Sequence, residues 1–235
     1  SASEERYSRI KSDESYPKKS IDWGLKTTNI DPKELDRILL CGTRLTVIPP
    51  LLHSYSKFSV SDHLMMMDEY WKPKLSDQKT SHLFEIFNDK LDFDQFPYNT
   101  EYGKKLNVYE IEHPINNDTD KIISNFFKTA ISDHIGVDEE KIEHIDHHTC
   151  HANYAFYASP IRDENTLVVT LDAWGDDLSG TISVYDKKLN QLNRLREFHH
   201  KDFQLGRIYR YVTLLLRMLP SDHEYKVMGL APYYD

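Results

Sequence analysis

Two histidines four residues apart, His147 and His151, stand in the run His147-His148-Thr149-Cys150-His151-Ala152. On a helix this spacing projects both imidazoles from one face, the arrangement by which two ligands share a divalent metal. By itself an H-x-x-x-H spacing is more often a helical turn with solvated or hydrogen-bonded histidines, so the surroundings must decide. They supply Asp172-Ala173-Trp174-Gly175-Asp176-Asp177-Leu178-Ser179-Gly180, directly after the apolar run Thr166 to Leu171. A carboxylate at the C-terminal edge of a strand can ligate a metal, and the backbone N–H groups of a Gly-containing hairpin can cradle phosphate. A plain Asp- and Gly-rich turn is the commoner explanation of such a segment on its own. Two further segments carry charge and glycine together, Leu205-Gly206-Arg207-Ile208-Tyr209 and His223-Glu224-Tyr225-Lys226-Val227-Met228-Gly229-Leu230-Ala231-Pro232-Tyr233. As bare chemistry they read as a solvated arginine, a Glu224/Lys226 surface pair and two glycine packing points.

The elements that must hold these residues alternate in type. Pro17 followed by Ile21, Trp23 and Leu25 predicts a helix fading at Thr27 to Asn29. Arg37 to Cys41, ended by Gly42, predicts a buried strand inside a sheet. From Thr43 to about Asn117 the prolines Pro49, Pro50, Pro73, Pro97 and Pro114 punctuate an insertion with helices, one of them around Met65 to Met67. Asp118 to Ile135 carries Ile122, Ile123, Phe126, Phe127, Ala130, Ile131 and Ile135 at helical spacing, with Asp118 and Asp120 at its start and Gly136 closing it. Ile142 to Ile145 predicts a short strand and Cys150 to Ala158 a close-packed helix, with His147 and His148 at their junction. Thr166 to Leu171, a buried strand, precedes strands at Thr181 to Tyr185 and Leu192 to Phe198, joined by hairpins. Leu205 to Leu219 and His223 to Leu230 predict two closing helices.

Composition excludes several classes of function. Among 235 residues, 29 Lys and Arg face 38 Asp and Glu for a formal charge of -9, which argues against a general electrostatic grip on nucleic acid or anionic lipid. With 39% hydrophobic and 12% aromatic residues the chain is globular rather than disordered. No apolar run approaches the roughly 20 residues that span a bilayer. No apolar signal core opens the chain, so a cytoplasmic location is expected. Cys41 and Cys150 cannot build a disulfide framework and are expected to be reduced. Because the chain starts without Met and stops just after a helical pattern, both ends are expected to be cut.

In order, the chemistry-bearing segments resemble the O-carbamoyltransferase family, of the nodulation and antibiotic-tailoring type. The matching pieces are Glu4 to Lys11, Tyr16-Pro17, His147-His148-x-x-His151-Ala152, Ser159-Pro160, Asp172-x-x-Gly175-Asp176, Leu205-Gly206-Arg207-x-Tyr209 and Glu224 to Pro232, with Thr43 to Asn117 the weakest stretch. The resemblance implies an α/β fold of the actin-like, sugar-kinase-like (ribonuclease H-like) kind, two-lobed and here incomplete at both ends. Residues 1–160 would form the first lobe with its helical insertion at about 43–117, and residues 161–235 the start of the second; the adenylate-forming C-terminal domain would be absent.

The same resemblance implies that carbamoyl adenylate, made from carbamoyl phosphate and ATP, gives its carbamoyl group to a hydroxyl of a sugar-like small molecule. His147, His151 and Asp172 match the family's metal ligands, with iron the expected ion. Arg9 and Lys11 would lie near the carbamoyl or phosphate group, and Gly175, Asp176, Ser179 and Gly180 near the nucleotide. His148 is a candidate base for the accepting hydroxyl, although a helix neighbour points about 100° away. No nucleic-acid or membrane partner is expected, and a homodimer is left open. Departures from the family pattern are Ala173 where Gly is frequent, Ser12 after Lys11 where His is frequent, and Tyr234 where Gly is common. A threonylcarbamoyl-adenosine tRNA-modifying relative and a non-catalytic nucleotide-binding or interaction module of the same fold are the alternatives.

Overall fold

In the computed structural model of the chain, the described residues are 2–9, 13, 16–43, 52, 58–76, 78–90, 117–161, 165–200, 202 and 204–233. Lys11, Ser12, Tyr234 and most of the stretch between Thr43 and Asn117 lie outside them. In chain order the elements used below are α1 (Glu5–Ser8), α2 (Lys18–Thr28), β1 (Ile38–Cys41), α3 (Val60–Met66), α4 (Asn117–Ile135), β2 (Ile142–Ile145), α5 (His147–Tyr157), β3 (Leu167–Gly175), β4 (Leu178–Asp186), β5 (Gln191–His199), α6 (Ile208–Leu215) and α7 (Glu224–Met228). The architecture is mixed α/β, with β1 and β2 in one small sheet and β3, β4 and β5 in another, in that order. No described helix is long and apolar enough to cross a membrane.

The chain divides into two compact units. The first comprises Ser1–Leu40, Leu45–Ser56 and Lys90–His144, and the second Cys41–Arg44, Lys57–Asp89 and Ile145–Asp235. In the first unit the fully buried Ile142 of β2 packs with Ile131 of α4 and Val137. Tyr16, Ile38, Leu40 and Ile135 close around this cluster. α4 occupies the predicted span and stops where Gly136, at φ 70°, turns left-handed and donates its N–H to Ser132. α2 also matches its prediction: Asn29 at φ 53° caps it, its N–H reaching the Leu25 and Lys26 carbonyls. Its start is supported by the Glu4 carboxylate, which accepts the N–H groups of Lys19 and Ser20 at 3.2 and 2.8 Å. His134 on α4 bridges Tyr16 and Asp22, at 2.8 and 2.9 Å. β1 is shorter than expected and is not buried on both faces, since Leu39 points outward.

The second unit is built on an antiparallel meander. Thr181 of β4 pairs with Thr170 of β3 and Glu197 of β5. α5 lies against this sheet, with Ala152 and Phe156 packed on Val168, Tyr185 and Leu192. Phe156 stacks on Tyr185 at 4.3 Å. β3 differs from the buried strand the sequence suggested: Val168 and Thr170 point inward, while Leu167, Val169 and Leu171 are about half exposed. The apolar run therefore serves one covered face, as an antiparallel strand permits. The last long helix also ends early. A 3-10 turn at Leu205–Arg207 leads into α6, which stops at Leu215, and Arg217 turns left-handed at φ 58°.

α3 opens with a capping box, Ser59 accepting the Asp62 N–H while the Asp62 carboxylate accepts that of Ser59. The helix then passes through a π turn at Met67–Trp71 just ahead of Pro73, a residue with no N–H to donate. His63 on α3 is buried, its ring edge-on to Phe58 at 5.3 Å. Burial first, and the Arg210 charge second, push its imidazole down to about 4 against the opposing effect of Asp62. A histidine depressed in the fold and ordinary in the unfolded chain stabilises the fold fully above about pH 6.5; that contribution is lost as the pH falls toward 4. Wild-type protein should therefore lose up to about 3 kcal/mol between pH 7 and 4 from this group alone. His63→Met should flatten that part of the pH dependence in thermal melts, and an unchanged slope would remove His63 from the account.

Candidate metal centre

The first turn of α5 carries the histidines and is held at two of its free donors. Asp146 is the N-cap: its carboxylate accepts the Thr149 N–H at 2.7 Å. The His147 N–H goes to the Asp176 carboxylate, also at 2.7 Å. Both acids stand at the positive end of the helix dipole. Arg194 on β5 hydrogen-bonds the Asp146 carboxylate and the Thr149 hydroxyl. Burial alone would raise the Asp146 carboxyl, but the hydrogen bonds from Arg194 and Thr149 outweigh it and hold it below the usual carboxylate range. The turn is thus fixed to β5 through Arg194 and to the β3–β4 hairpin through Asp176.

Asp172 arrives by a bulge. Leu171 pairs with Gly180 and Gly175 with Leu178, so residues 172–174 oppose the single residue Ser179. β3 therefore runs on to Gly175, and Asp172 lies within the strand rather than in the turn after it, as the sequence suggested. The turn itself is Asp176-Asp177, at φ 53° and 66°, the double left-handed geometry of a two-residue hairpin loop. Asp tolerates that region better than most residues, and the Asp176 carboxylate also accepts the Thr43 N–H, at 2.8 Å.

Three ligand atoms meet here. Nε2 of His147 lies 2.6 Å from Oδ2 of Asp172 and 3.0 Å from Nε2 of His151, and the last two atoms are 3.6 Å apart. An imidazole nitrogen has one in-plane site, so the His147 nitrogen cannot serve both neighbours with one proton or one lone pair. Donors about 2.1 Å from a common cation would stand about 3.0 to 3.4 Å from one another, and the observed triangle brackets those edges. Two imidazoles and one carboxylate on a single triangular face form a donor set suited to a divalent transition metal, with further coordination positions open. Burial, then the neighbouring His147, lowers the His151 imidazole below its ordinary range despite Asp172, which favours the neutral form that ligates.

The chain matches the family model described as "Carbamoyltransferase N-terminus" over residues 1–235. It belongs to the carbamoyltransferase family, as its N-terminal domain. An uncharacterised protein of Synechocystis is 25% identical over 233 residues, covering 98% of this chain and 30% of the relative. Nodulation protein NolNO of Sinorhizobium fredii is 38% identical over 99 residues, 42% of this chain and 14% of that protein. An uncharacterised protein of Methanocaldococcus jannaschii is 33% identical over 98 residues, 37% of this chain and 16% of the relative. The chain thus spans under a third of the length of these curated relatives.

Of the residues singled out in the sequence, His147, His151 and Asp172 converge in the second unit. His148 sits behind them, fully buried, with one ring nitrogen on Thr170 and the other toward Asp172. Gly175 lies directly under the His147 ring, where an added Cβ would meet Cδ2 at 2.1 Å. Asp176 holds two backbone N–H groups, and Ser179 is buried, its hydroxyl donating to the Phe198 carbonyl at 3.2 Å. Gly180 faces the Thr170 carbonyl, 2.6 Å from where its Cβ would stand. Arg9 belongs to the first unit, as the left-handed C-cap of α1. Lys11 lies outside the described residues.

Sequence reasoning missed Asp146 and Arg194, whereas Gly206, read as a packing point, is one. Asp before the first helical residue is a readable N-cap signal; Arg194 offers none, because its partner is 48 residues away. At Gly206 a Cβ would meet the Asp172 carbonyl oxygen at 2.3 Å, so the 3-10 turn backs directly on the ligand's main chain. Arg207 then lies over the Trp174 ring at 5.2 Å. Gly175→Ala should push the His147 ring off its seat and weaken metal binding about 10- to 100-fold while moving the unfolding midpoint little. Unchanged affinity by metal titration would show that Gly175 does not seat the ring.

Proposed function

We propose that the full-length protein is a metal-dependent O-carbamoyltransferase, and that the observation carrying this reading is the convergence of His147, His151 and Asp172 within a carbamoyltransferase N-terminal domain. The reaction moves a carbamoyl group from carbamoyl adenylate, made from carbamoyl phosphate and ATP, to a hydroxyl of a sugar or sugar-like acceptor. The acceptor oxygen bonds to the carbamoyl carbon, the bond to the adenylate phosphate oxygen breaks, and the hydroxyl proton is released. Carbamoyl is a poor electrophile because its nitrogen lone pair feeds the carbonyl, so a good leaving group and charge stabilisation must lower the barrier. Bound at the His147/His151/Asp172 face, a divalent ion, iron first, would supply Lewis acidity toward a carbonyl or phosphate oxygen.

The residues of this chain take the remaining tasks. His147 and His151 are held by the fixed turn of α5, and Asp172 by the bulge in β3, which supports a ligand face assembled before any substrate arrives. Arg9 and Lys11 are proposed to meet the carbamoyl or phosphate group, and the hairpin residues Gly175, Asp176, Ser179 and Gly180 to border the nucleotide. The fold proposed for the complete domain is the actin-like, two-lobed one. Support comes from the ordered motifs over the whole chain and from a formal charge of -9, which disfavours a tRNA substrate.

Elemental analysis of the full-length protein should find about one divalent metal per chain, absent from His147→Ala/His151→Ala. With carbamoyl phosphate, ATP and a sugar acceptor, carbamoylated product should form with wild type and fall at least a hundredfold in the double variant. A metal-free wild type that still transfers the group would overturn this reading.

A further inference from the structure

Behind the candidate ligands lies a buried hydrogen-bond chain whose direction can be worked out atom by atom. His148 and Thr181 are fully buried, and Thr170 nearly so. Nδ1 of His148 is 2.9 Å from the Thr170 hydroxyl, which is 2.8 Å from the Thr181 hydroxyl and accepts the Thr181 N–H at 3.0 Å. A hydroxyl has one proton and two lone pairs. Among the described residues the Thr181 hydroxyl reaches only Thr170, so its proton finds an acceptor only there. Together with the Thr181 N–H this fills both lone pairs of the Thr170 oxygen. The Thr170 proton is then directed at Nδ1 of His148, which must accept it. A proton on Nδ1 would have no acceptor, so the ring's proton sits on Nε2.

That nitrogen faces Asp172. Nε2 of His148 and Oδ1 of Asp172 are 3.7 Å apart, and each is a buried atom with no hydrogen-bond partner among the described residues. The opposite tautomer would aim a lone pair at a carboxylate oxygen. With Nε2–H the two orphaned atoms are complementary, and a closure of under an ångström makes them a charge-assisted hydrogen bond. Oδ2, the other oxygen of the same carboxylate, is the one that lies with His147 and His151.

We propose that Thr181 and Thr170 lock His148 as the Nε2–H tautomer, and that His148 is a positioning residue whose N–H holds Oδ1 of Asp172, leaving Oδ2 alone to ligate. The second half of this statement rests on the metal reading above; the first half does not. Outer partners of this kind orient ligands and tune metal affinity. The relay also accounts for two threonines facing each other at the paired positions 170 and 181, where an antiparallel core would accept valine.

The test uses the full-length protein with ring-15N-labelled histidine, first without metal. The ring signals that vanish in His148→Gln belong to His148; the proton should be coupled to Nε2 and not to Nδ1. A proton on Nδ1, or on both nitrogens, overturns the relay whatever the metal site does. Cobalt(II) titrations then examine the second half. Thr170→Val and His148→Met should weaken binding at least tenfold, while His148→Gln, whose amide N–H reaches about as far as Nε2, should stay within about threefold of wild type. Equal weakening by Gln and Met would overturn the positioning role. A wild type that binds no cobalt would overturn that role and the metal reading together, with the tautomer still decided by the ring signals.

Discussion

The carboxylate of Asp172 is the point on which the second unit's architecture turns. It can stand beside two imidazoles only because three residues of β3 bulge against one of β4, and because a glycine in the 3-10 turn before α6 lets another backbone press on its main chain. On the other side, α5 must start at a fixed height and rotation, or His147 and His151 would miss it. Two acids, Asp146 and Asp176, set that start by taking two of the free N–H groups in the first turn of the helix, and Arg194 ties one of them to the far strand of the sheet. These polar contacts are partly buried, where a hydrogen bond to a charged group is worth about 1.5 to 3 kcal/mol.

The parts of this arrangement that follow a local rule were legible in the sequence. α4 showed itself through its helical spacing and its closing Gly136, β2 through the alternation of Ile142 to Ile145, and the His147/His151 pair through a four-residue separation that is itself a statement about a helix face. What stayed hidden depends on partners distant in the chain. The run Thr166 to Leu171 looks the same whether one face or two are covered, so the exposure of Leu167 and Val169 could not be read from it. Gly175 announced a flexible turn, yet its reason for being Gly is the ring of His147, 28 residues earlier in the chain.

The hydroxyl chain behind the site illustrates the same division. Thr170 and Thr181 are ordinary β-sheet residues by propensity, and nothing in their local sequence distinguishes them from solvent-facing threonines. Only the pairing register puts them opposite one another, and only the packing of α5 brings a histidine ring to the end of the chain. Membership in the carbamoyltransferase family speaks to the domain as a whole, whereas the assignment of a proton to one nitrogen comes from counting donors and acceptors in a closed space.

The Asp176 carboxylate gathers the Thr43 N–H and the His147 N–H, and the first of these lies 133 residues away in sequence. Such a contact gives no stabilisation until the intervening chain has closed a long loop, which makes it a late event in folding. On a ribosome adding about 5 to 20 residues each second, Thr43 would wait on the order of ten seconds for Asp176 to be synthesised. The end of β1 thus emerges well before its anchor exists, and the helix start that carries the histidines gains its second acid only after the β3–β4 hairpin has formed.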